Sequence, residues 1–129
     1  MNFELPEELA EVRKLARDFA EKEVAPTAAK DDKGHVFRKD LVIKMGALGF
    51  FGCLVSEEDG GNGLGFLAHA LISEEIGRIH SAIRVYLNMQ AGPAVTIAEC
   101  GSGAQKRGFL PSLFSAEIVG CVAITKLDT

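Results

Sequence analysis

A β-strand is predicted in the last fourteen residues, 116–129, whereas nearly everything before them has the spacing of α-helices. A single strand has no neighbour with which to exchange backbone hydrogen bonds, and unpaired backbone groups are costly to bury. Either this segment pairs with something outside the sequence, or the sequence is the front part of a longer protein.

Apolar residues recur three or four positions apart over most of residues 6–110, which is the pattern of helices with one buried face. The glycine-rich segment at residues 57–63 predicts a tight turn. Helices are predicted at about residues 6–25, 38–48, 66–79, 81–100 and 104–110.

Five features predict how these helices begin, end and connect. The polar run at residues 30–34 predicts a surface loop, and the apolar run at 50–55 predicts an extended segment. Ser81 is predicted to cap the fourth helix. Pro93 predicts a kink or break in that helix, and Pro111 predicts the end of the fifth.

These elements give an all-α fold: a bundle of about five helices at residues 1–115, followed by a β-strand at 116–129 that would begin a further β-domain. The 129 residues suffice for one domain. A net charge of −4 without a basic stripe argues against nucleic-acid binding. No apolar run approaches the roughly 20 residues that a membrane span needs.

Cysteine and histidine usage argues against disulfides and metal sites. Three separated cysteines without C-x-x-C spacing predict reduced, buried thiols in a cytoplasmic protein, and the N-terminus has no export signal. The three histidines have no cysteine or carboxylate at ligand spacing, so no metal is expected. Ser81 has no acid–base partner pattern, so hydrolysis by a serine nucleophile is not supported.

The order of motifs along the whole chain resembles the acyl-CoA dehydrogenase family. The motifs are Gly-Phe-Phe-Gly at residues 49–52, Glu-Glu-Asp-Gly-Gly-Asn-Gly-Leu at 57–64, Glu-Glu-Ile-Gly-Arg at 74–78, Leu-Pro-Ser-Leu at 110–113 and Gly-Cys-Val-Ala-Ile-Thr at 120–125. Each motif is weak alone, and their shared order makes the resemblance specific.

The resemblance implies a FAD enzyme that removes the α and β hydrogens of an acyl-CoA thioester. In that family a carboxylate base takes the α-proton, the flavin takes the β-hydride, and electrons pass to an electron-transferring flavoprotein. The family's subunits usually form homotetramers with a helical domain, a β-barrel and a four-helix bundle. This chain resembles the first part alone, so it would wall one side of the acyl pocket and contain no catalytic residue.

Two positions of the predicted strand match the family's flavin contacts. At Ile124 and Thr125 the resemblance implies that a backbone amide and a hydroxyl approach the flavin pyrimidine edge. The alternative for Thr125 is an ordinary strand threonine. The chain departs from the family directly afterwards, because residues 126–129 are Lys-Leu-Asp-Thr where Glu-Pro is usual.

The start of the fourth helix resembles the glutaryl-CoA dehydrogenase subgroup, whose relatives act on dicarboxylic or cyclic acyl-CoAs. The resemblance implies that Ser81, Arg84 and Tyr86 line the distal end of the acyl pocket. A guanidinium at Arg84 could pair with the far carboxylate of a dicarboxylyl chain. The alternatives are that Arg84 pairs with Glu74 or Glu75 and that Tyr86 packs in the core.

A rival hypothesis comes from another class of protein. The chain could be a stand-alone helical interaction module that keeps the fold without the chemistry. Its terminal strand would then pair with a partner chain or with a second copy of itself, as exposed strand edges tend to do.

Overall fold

The computed structural model describes residues 4–123, and these form a helical domain in which no β-strand occurs. The all-α prediction is confirmed. Within the described residues there are six α-helices rather than about five: α1 (Glu7–Phe19), α2 (Ala28–Lys33), α3 (Lys39–Ala47), α4 (Gly65–Ile79), α5 (Ser81–Cys100) and α6 (Gly103–Phe114).

The first helix and its continuation occupy the predicted residues 6–25. Glu7 and Glu8 lie in the first turn of α1, where carboxylates interact favourably with the helix dipole. A π-helical turn at Ala20–Val24 extends α1 to the loop at Pro26. The buried face of this long helix packs on α4, which makes α1 and α4 the centre of the fold.

The larger of two hydrophobic clusters fills the space between α1, α3, α4 and the start of α5. Phe19 of α1 and Phe50 meet edge to face at its centre, with ring centroids 5.9 Å apart. A smaller cluster joins the second half of α5 to α6. The far end of α5 therefore belongs to a second small core, whereas its first turns lie over the main one.

The polar run at residues 30–34 is part of a short helix, so the loop prediction there was wrong. Thr27 donates a hydrogen bond to Asp31 at 2.6 Å, one turn into α2. Arg38 bonds to both of these side chains. Asp31 of the charged run is thus bonded to a residue on each side of α2, which holds the helix in place.

The extended segment predicted at residues 50–55 is a tight 3₁₀ turn at Phe50–Gly52. Gly49, at φ +76°, allows the chain to enter this turn. Phe50 and Phe51 are both buried in the main core. Successive side chains of a strand point to opposite faces, so a strand could not bury this pair on one side.

Neither proline interrupts its helix as predicted. α5 runs through Pro93 without a break, and α6 continues past Pro111 to Phe114. The turn around Pro111 is exposed, so water can bond to the carbonyl that the proline leaves free. Around Pro93, residues 120–122 pack over α5 instead. Gly120 approaches so closely that a Cβ there would lie 2.7 Å from the carbonyl oxygen of Met89.

Residues 116–123 form no β-strand, so the described part of the predicted strand was wrong, and residues 124–129 lie outside the described chain. The buried amide of Gln90 binds this segment to α5. It donates to the carbonyls of Leu113 at 2.8 Å and Ile118 at 2.9 Å, and it accepts from the Gly120 amide. These side-chain bonds satisfy backbone groups that a neighbouring strand would otherwise pair. The domain boundary at 115/116 stays a prediction.

The cysteine prediction holds in part. Cys53 is buried, whereas Cys100 and Cys121 are exposed, and all three are free thiols. Among residues 4–123, no helix is both long and apolar enough to cross a bilayer.

Candidate functional site

The junction of α4 and α5 presents two open grooves that share His80. Its extended backbone (φ −150°, ψ 105°) separates the two helices and turns the chain. The first groove has a volume of about 500 Å³, and Ser81 lines it opposite small side chains of Ala25 and of the start of α2. The groove is alanine-rich on that side, so its width depends on the lack of larger side chains there.

The second groove, of about 260 Å³, lies between the α2–α3 connection and the first turns of α5. Tyr86 forms its apolar wall together with Phe37, and their ring centroids are 5.4 Å apart. Tyr86 also packs against the main core. Burial raises the pKa of its hydroxyl. The packing alternative for Tyr86 is therefore supported, and the side chain lines a groove as well.

A fixed ion-pair cluster borders this second groove. Arg38 contacts Asp31 through Nη1 at 2.6 Å and Asp40 through Nη2 at 2.8 Å. The hydrogen bond from Thr27, followed by the bond and charge of Arg38, lowers the pKa of Asp31. The Arg38 guanidinium likewise lowers the pKa of Asp40, and the two carboxylates raise the pKa of Arg38. Because these charges are paired with each other, the cluster offers no free charge to a ligand.

Arg84 differs from Arg38 because its charge is unpaired among residues 4–123. The side chain is half-buried on the first turns of α5, and within residues 4–123 its guanidinium has neither an ion pair nor a hydrogen bond. Its aliphatic part lies against Gly77 of α4. A half-buried guanidinium without a partner can bind an anion without first breaking an ion pair.

The alternative that Arg84 pairs with Glu74 or Glu75 is wrong. Glu75 is 1% exposed, and its carboxylate is held by Arg13 at 2.9 Å and by Arg17 at 2.7 Å. The hydrogen bonds from Arg17 and then Arg13 lower the pKa of Glu75 to about 2, against the opposing effect of burial. Glu74 lies 3.7 Å from Arg13. Both acids therefore join α4 to α1.

The three predicted side chains share α5 but are not gathered in one pocket. Ser81 is exposed in the first groove, Tyr86 lines the second, and Arg84 lies against α4. Ser81 is the first residue of α5, and the preceding His80 occupies the cap position without a side-chain cap bond, so the predicted capping role was wrong. Five residues separate Ser81 from Tyr86, which places them on different faces of a helix.

The glycine-rich segment at residues 57–65 is a closed turn, and its backbone amides are not free to hold phosphates. Gly61 donates to Ser56, Gly63 to Val55 and Gly65 to Cys53, each at 2.8–3.0 Å. A phosphate cradle needs several amides pointing at the ligand. This turn therefore offers no set of free amides for the phosphates of a dinucleotide. Ile124 and Thr125, the predicted flavin contacts, lie outside the described residues.

Residues 4–123 place no three His, Cys, Asp or Glu side chains where they could hold a metal ion together. His69 instead bonds through Nε2 to Asn88 Oδ1 at 3.2 Å and links α4 to α5.

Sequence reasoning missed two residues that organise this region. Gly77 lies within the recognised motif at 74–78, but nothing in the motif indicated that it contacts Arg84. Gln90 lay among apolar neighbours of α5, and a polar residue at a core position of a helical pattern is a detectable signal.

The comparisons with known proteins agree with this fold. Residues 6–117 match the family model described as Acyl-CoA dehydrogenase, N-terminal domain. The chain is 43% identical to the glutaryl-CoA dehydrogenase of Desulfococcus multivorans, over 99% of this chain and 34% of that protein. It is 39% identical to the human mitochondrial short-chain specific acyl-CoA dehydrogenase, over 95% of this chain and 30% of that protein.

A solved structure of glutaryl-CoA dehydrogenase in complex with glutaryl-CoA has a TM-score of 0.93 to this chain at 43% identity, covering 99% of this chain and 33% of that one. The chain therefore belongs to the acyl-CoA dehydrogenase family and has the fold of that family's N-terminal helical domain. It spans about a third of the length of the relatives it matches.

Proposed function

We propose that this chain is the N-terminal part of a FAD-dependent acyl-CoA dehydrogenase and supplies one wall of its acyl pocket. The observation that carries the proposal is the match to a glutaryl-CoA dehydrogenase over 99% of the chain, with the same fold as a glutaryl-CoA complex. The reaction would be α,β-dehydrogenation of an acyl-CoA thioester. The carboxylate base and most of the flavin site would come from parts of the enzyme outside this chain.

The substrate class we propose is a dicarboxylyl-CoA such as glutaryl-CoA, although a cyclic acyl-CoA is the alternative within the same subgroup. The support is the guanidinium of Arg84, which has no partner in the described part of the chain and would bind the distal carboxylate in forked geometry. Ser81 would line the pocket from the adjoining groove. Tyr86 would keep the second groove apolar through its contact with Phe37.

The cofactor and partners follow from the same proposal. FAD would be contacted by the backbone of Ile124 and the hydroxyl of Thr125, and it would accept the hydride while the protein excludes water. The complete enzyme would be a homotetramer and would pass its electrons to an electron-transferring flavoprotein. The three free thiols of this chain fit a cytoplasmic location.

The isolated chain provides the first test. Because it lacks the base and most of the flavin site, the purified 129-residue chain should fold, retain no stoichiometric flavin and show no dehydrogenase activity. The measurement is an absorption spectrum with added FAD, followed by addition of glutaryl-CoA. A yellow complex that bleaches with the substrate would overturn the proposed division of the site.

A further inference from the structure

Gly77 lies in the interior of α4, directly beneath the side chain of Arg84. A Cβ atom built on Gly77 would lie 3.1 Å from Cδ, 3.5 Å from Cγ and 3.8 Å from Cβ of Arg84. These are the three nearest heavy atoms to that position. The first distance is tighter than ordinary van der Waals contact, so any side chain at residue 77 would push the arginine away from α4.

The backbone gives no other reason for glycine at this position. Gly77 has ordinary helical geometry, unlike the four described glycines with positive φ. Glycine in a helix interior is less stable than alanine, because more backbone entropy is lost on folding. Glycine at residue 77 therefore makes the helix less stable than alanine would. What it provides instead is space for the Arg84 side chain.

We propose that Gly77 is a positioning residue that sets the specificity of the acyl pocket. Its missing side chain lets the aliphatic part of Arg84 lie flat on α4, which fixes where the guanidinium can meet a distal carboxylate. The inference rests on the proposed role of Arg84 in binding that carboxylate. Selectivity for a dicarboxylyl-CoA would then depend on the contact between Gly77 and Arg84 as well as on the charge of Arg84.

Two further features make the position of Arg84 depend on Gly77. Arg84 has no ion pair or hydrogen bond within residues 4–123 that would hold its side chain in place, so the contact with α4 is the main constraint on it. The His69–Asn88 bond lies two turns of α4 before Gly77 and one turn of α5 after Arg84. Both helices also bury side chains in the main core, so a methyl group at residue 77 would displace the flexible arginine rather than separate the helices.

The test compares Gly77→Ala, Arg84→Ala and the double variant in the complete flavoenzyme that contains this chain. Gly108→Ala is the matched control, since a Cβ on that α6 glycine meets nothing within 4 Å. We expect Gly77→Ala to raise KM for glutaryl-CoA about tenfold, because small misplacements of a binding group are costly. The kcat for glutaryl-CoA should change less than about twofold, and so should kcat and KM for butyryl-CoA.

Thermal unfolding excludes a trivial folding defect, because both glycine variants should be at least as stable as the parent. In the Arg84→Ala background, Gly77→Ala should add nothing, since no arginine remains to be displaced. If Arg84→Ala abolishes the preference for glutaryl-CoA while Gly77→Ala leaves it intact, the role of Gly77 is refuted and the proposed function stands. If Arg84→Ala leaves the preference for glutaryl-CoA intact, the role of Gly77 and the proposed carboxylate recognition by Arg84 are both refuted.

Discussion

Arg17 binds the buried carboxylate of Glu75 in forked geometry, from Nε to Oε2 at 3.0 Å and from Nη2 to Oε1 at 2.7 Å. Arg13 adds a bond from Nε to Oε1 at 2.9 Å. The bonds from Arg13 and Arg17 to Glu75 connect α1 to α4 across the centre of the domain. These bonds also keep the Glu75 carboxylate from Arg84, whose charge has no partner among residues 4–123.

Replacing Glu75 by glutamine should destabilise the domain by about 2–3 kcal/mol, because charge-assisted hydrogen bonds to two arginines are lost or weakened at a buried position. Glu74→Gln is the matched control: it removes the same charge from the neighbouring residue, whose side chain is 62% exposed. Urea unfolding of the isolated chain measures both. Equal free-energy changes in the two variants would contradict the structural role of Glu75.

The same carboxylate should make the domain sensitive to acid. The pKa of Glu75 is about 2 in the folded chain and 4.5 is its ordinary value, so the unfolded chain binds the proton more readily. This contribution is complete above about pH 4.5 and is lost as the pH falls toward 2. Melting temperatures measured across that window should fall less steeply for Glu75→Gln than for the parent. Parallel curves would show that another group controls the acid response.

Gln90 should determine how the segment after α6 is held. Gln90→Met keeps the side-chain volume but leaves the Leu113 and Ile118 carbonyls and the Gly120 amide without this partner. We expect a loss of about 2–3 kcal/mol in the free energy of unfolding, because three hydrogen bonds of a fully buried amide are lost. Hydrogen exchange should show faster exchange of the Gly120 amide. Unchanged protection of that amide would contradict the assignment.

Arg84→Ala should lower kcat/KM for glutaryl-CoA by about 10- to 100-fold in the complete enzyme, as expected when a forked carboxylate contact is removed. Butyryl-CoA, which has no distal carboxylate, should be affected less than about twofold. Arg84→Lys keeps the charge without the planar fork, so its loss should be intermediate. Equal losses on the two acyl-CoAs would remove the carboxylate-recognition role.

The helices that carry a strong apolar period were predicted well, and the errors lie where tertiary contacts override local signals. The positions of α1, α3 and α4 follow from their buried faces. α2 was missed because its charged run resembles a loop, whereas Asp31 is bonded to Thr27 before the helix and to Arg38 after it. The break at Pro93 was predicted from the missing amide alone, whereas residues 120–122 pack over that turn. Such contacts are not visible in a local pattern.

The site was predicted less completely than the fold. That Ser81, Arg84 and Tyr86 line an acyl pocket stays a prediction from resemblance, which could not show that they lie on different faces of α5. The pairing of Glu75 with Arg13 and Arg17 needed the α1–α4 packing, because about 60 residues separate the partners. Gly77 was quoted only as part of a motif, since the space that it leaves depends on how α4 and α5 cross.

The central claim is that this chain forms a working wall of an acyl-CoA and FAD site. The most direct test is a composite enzyme in which the chain replaces the matching first third of the Desulfococcus multivorans glutaryl-CoA dehydrogenase. The measurement is the loss of flavin absorbance on mixing with glutaryl-CoA under anaerobic conditions. We expect stoichiometric bleaching of the flavin, and we expect Arg84→Ala to slow it. A folded composite that binds FAD and fails to bleach would contradict the claim.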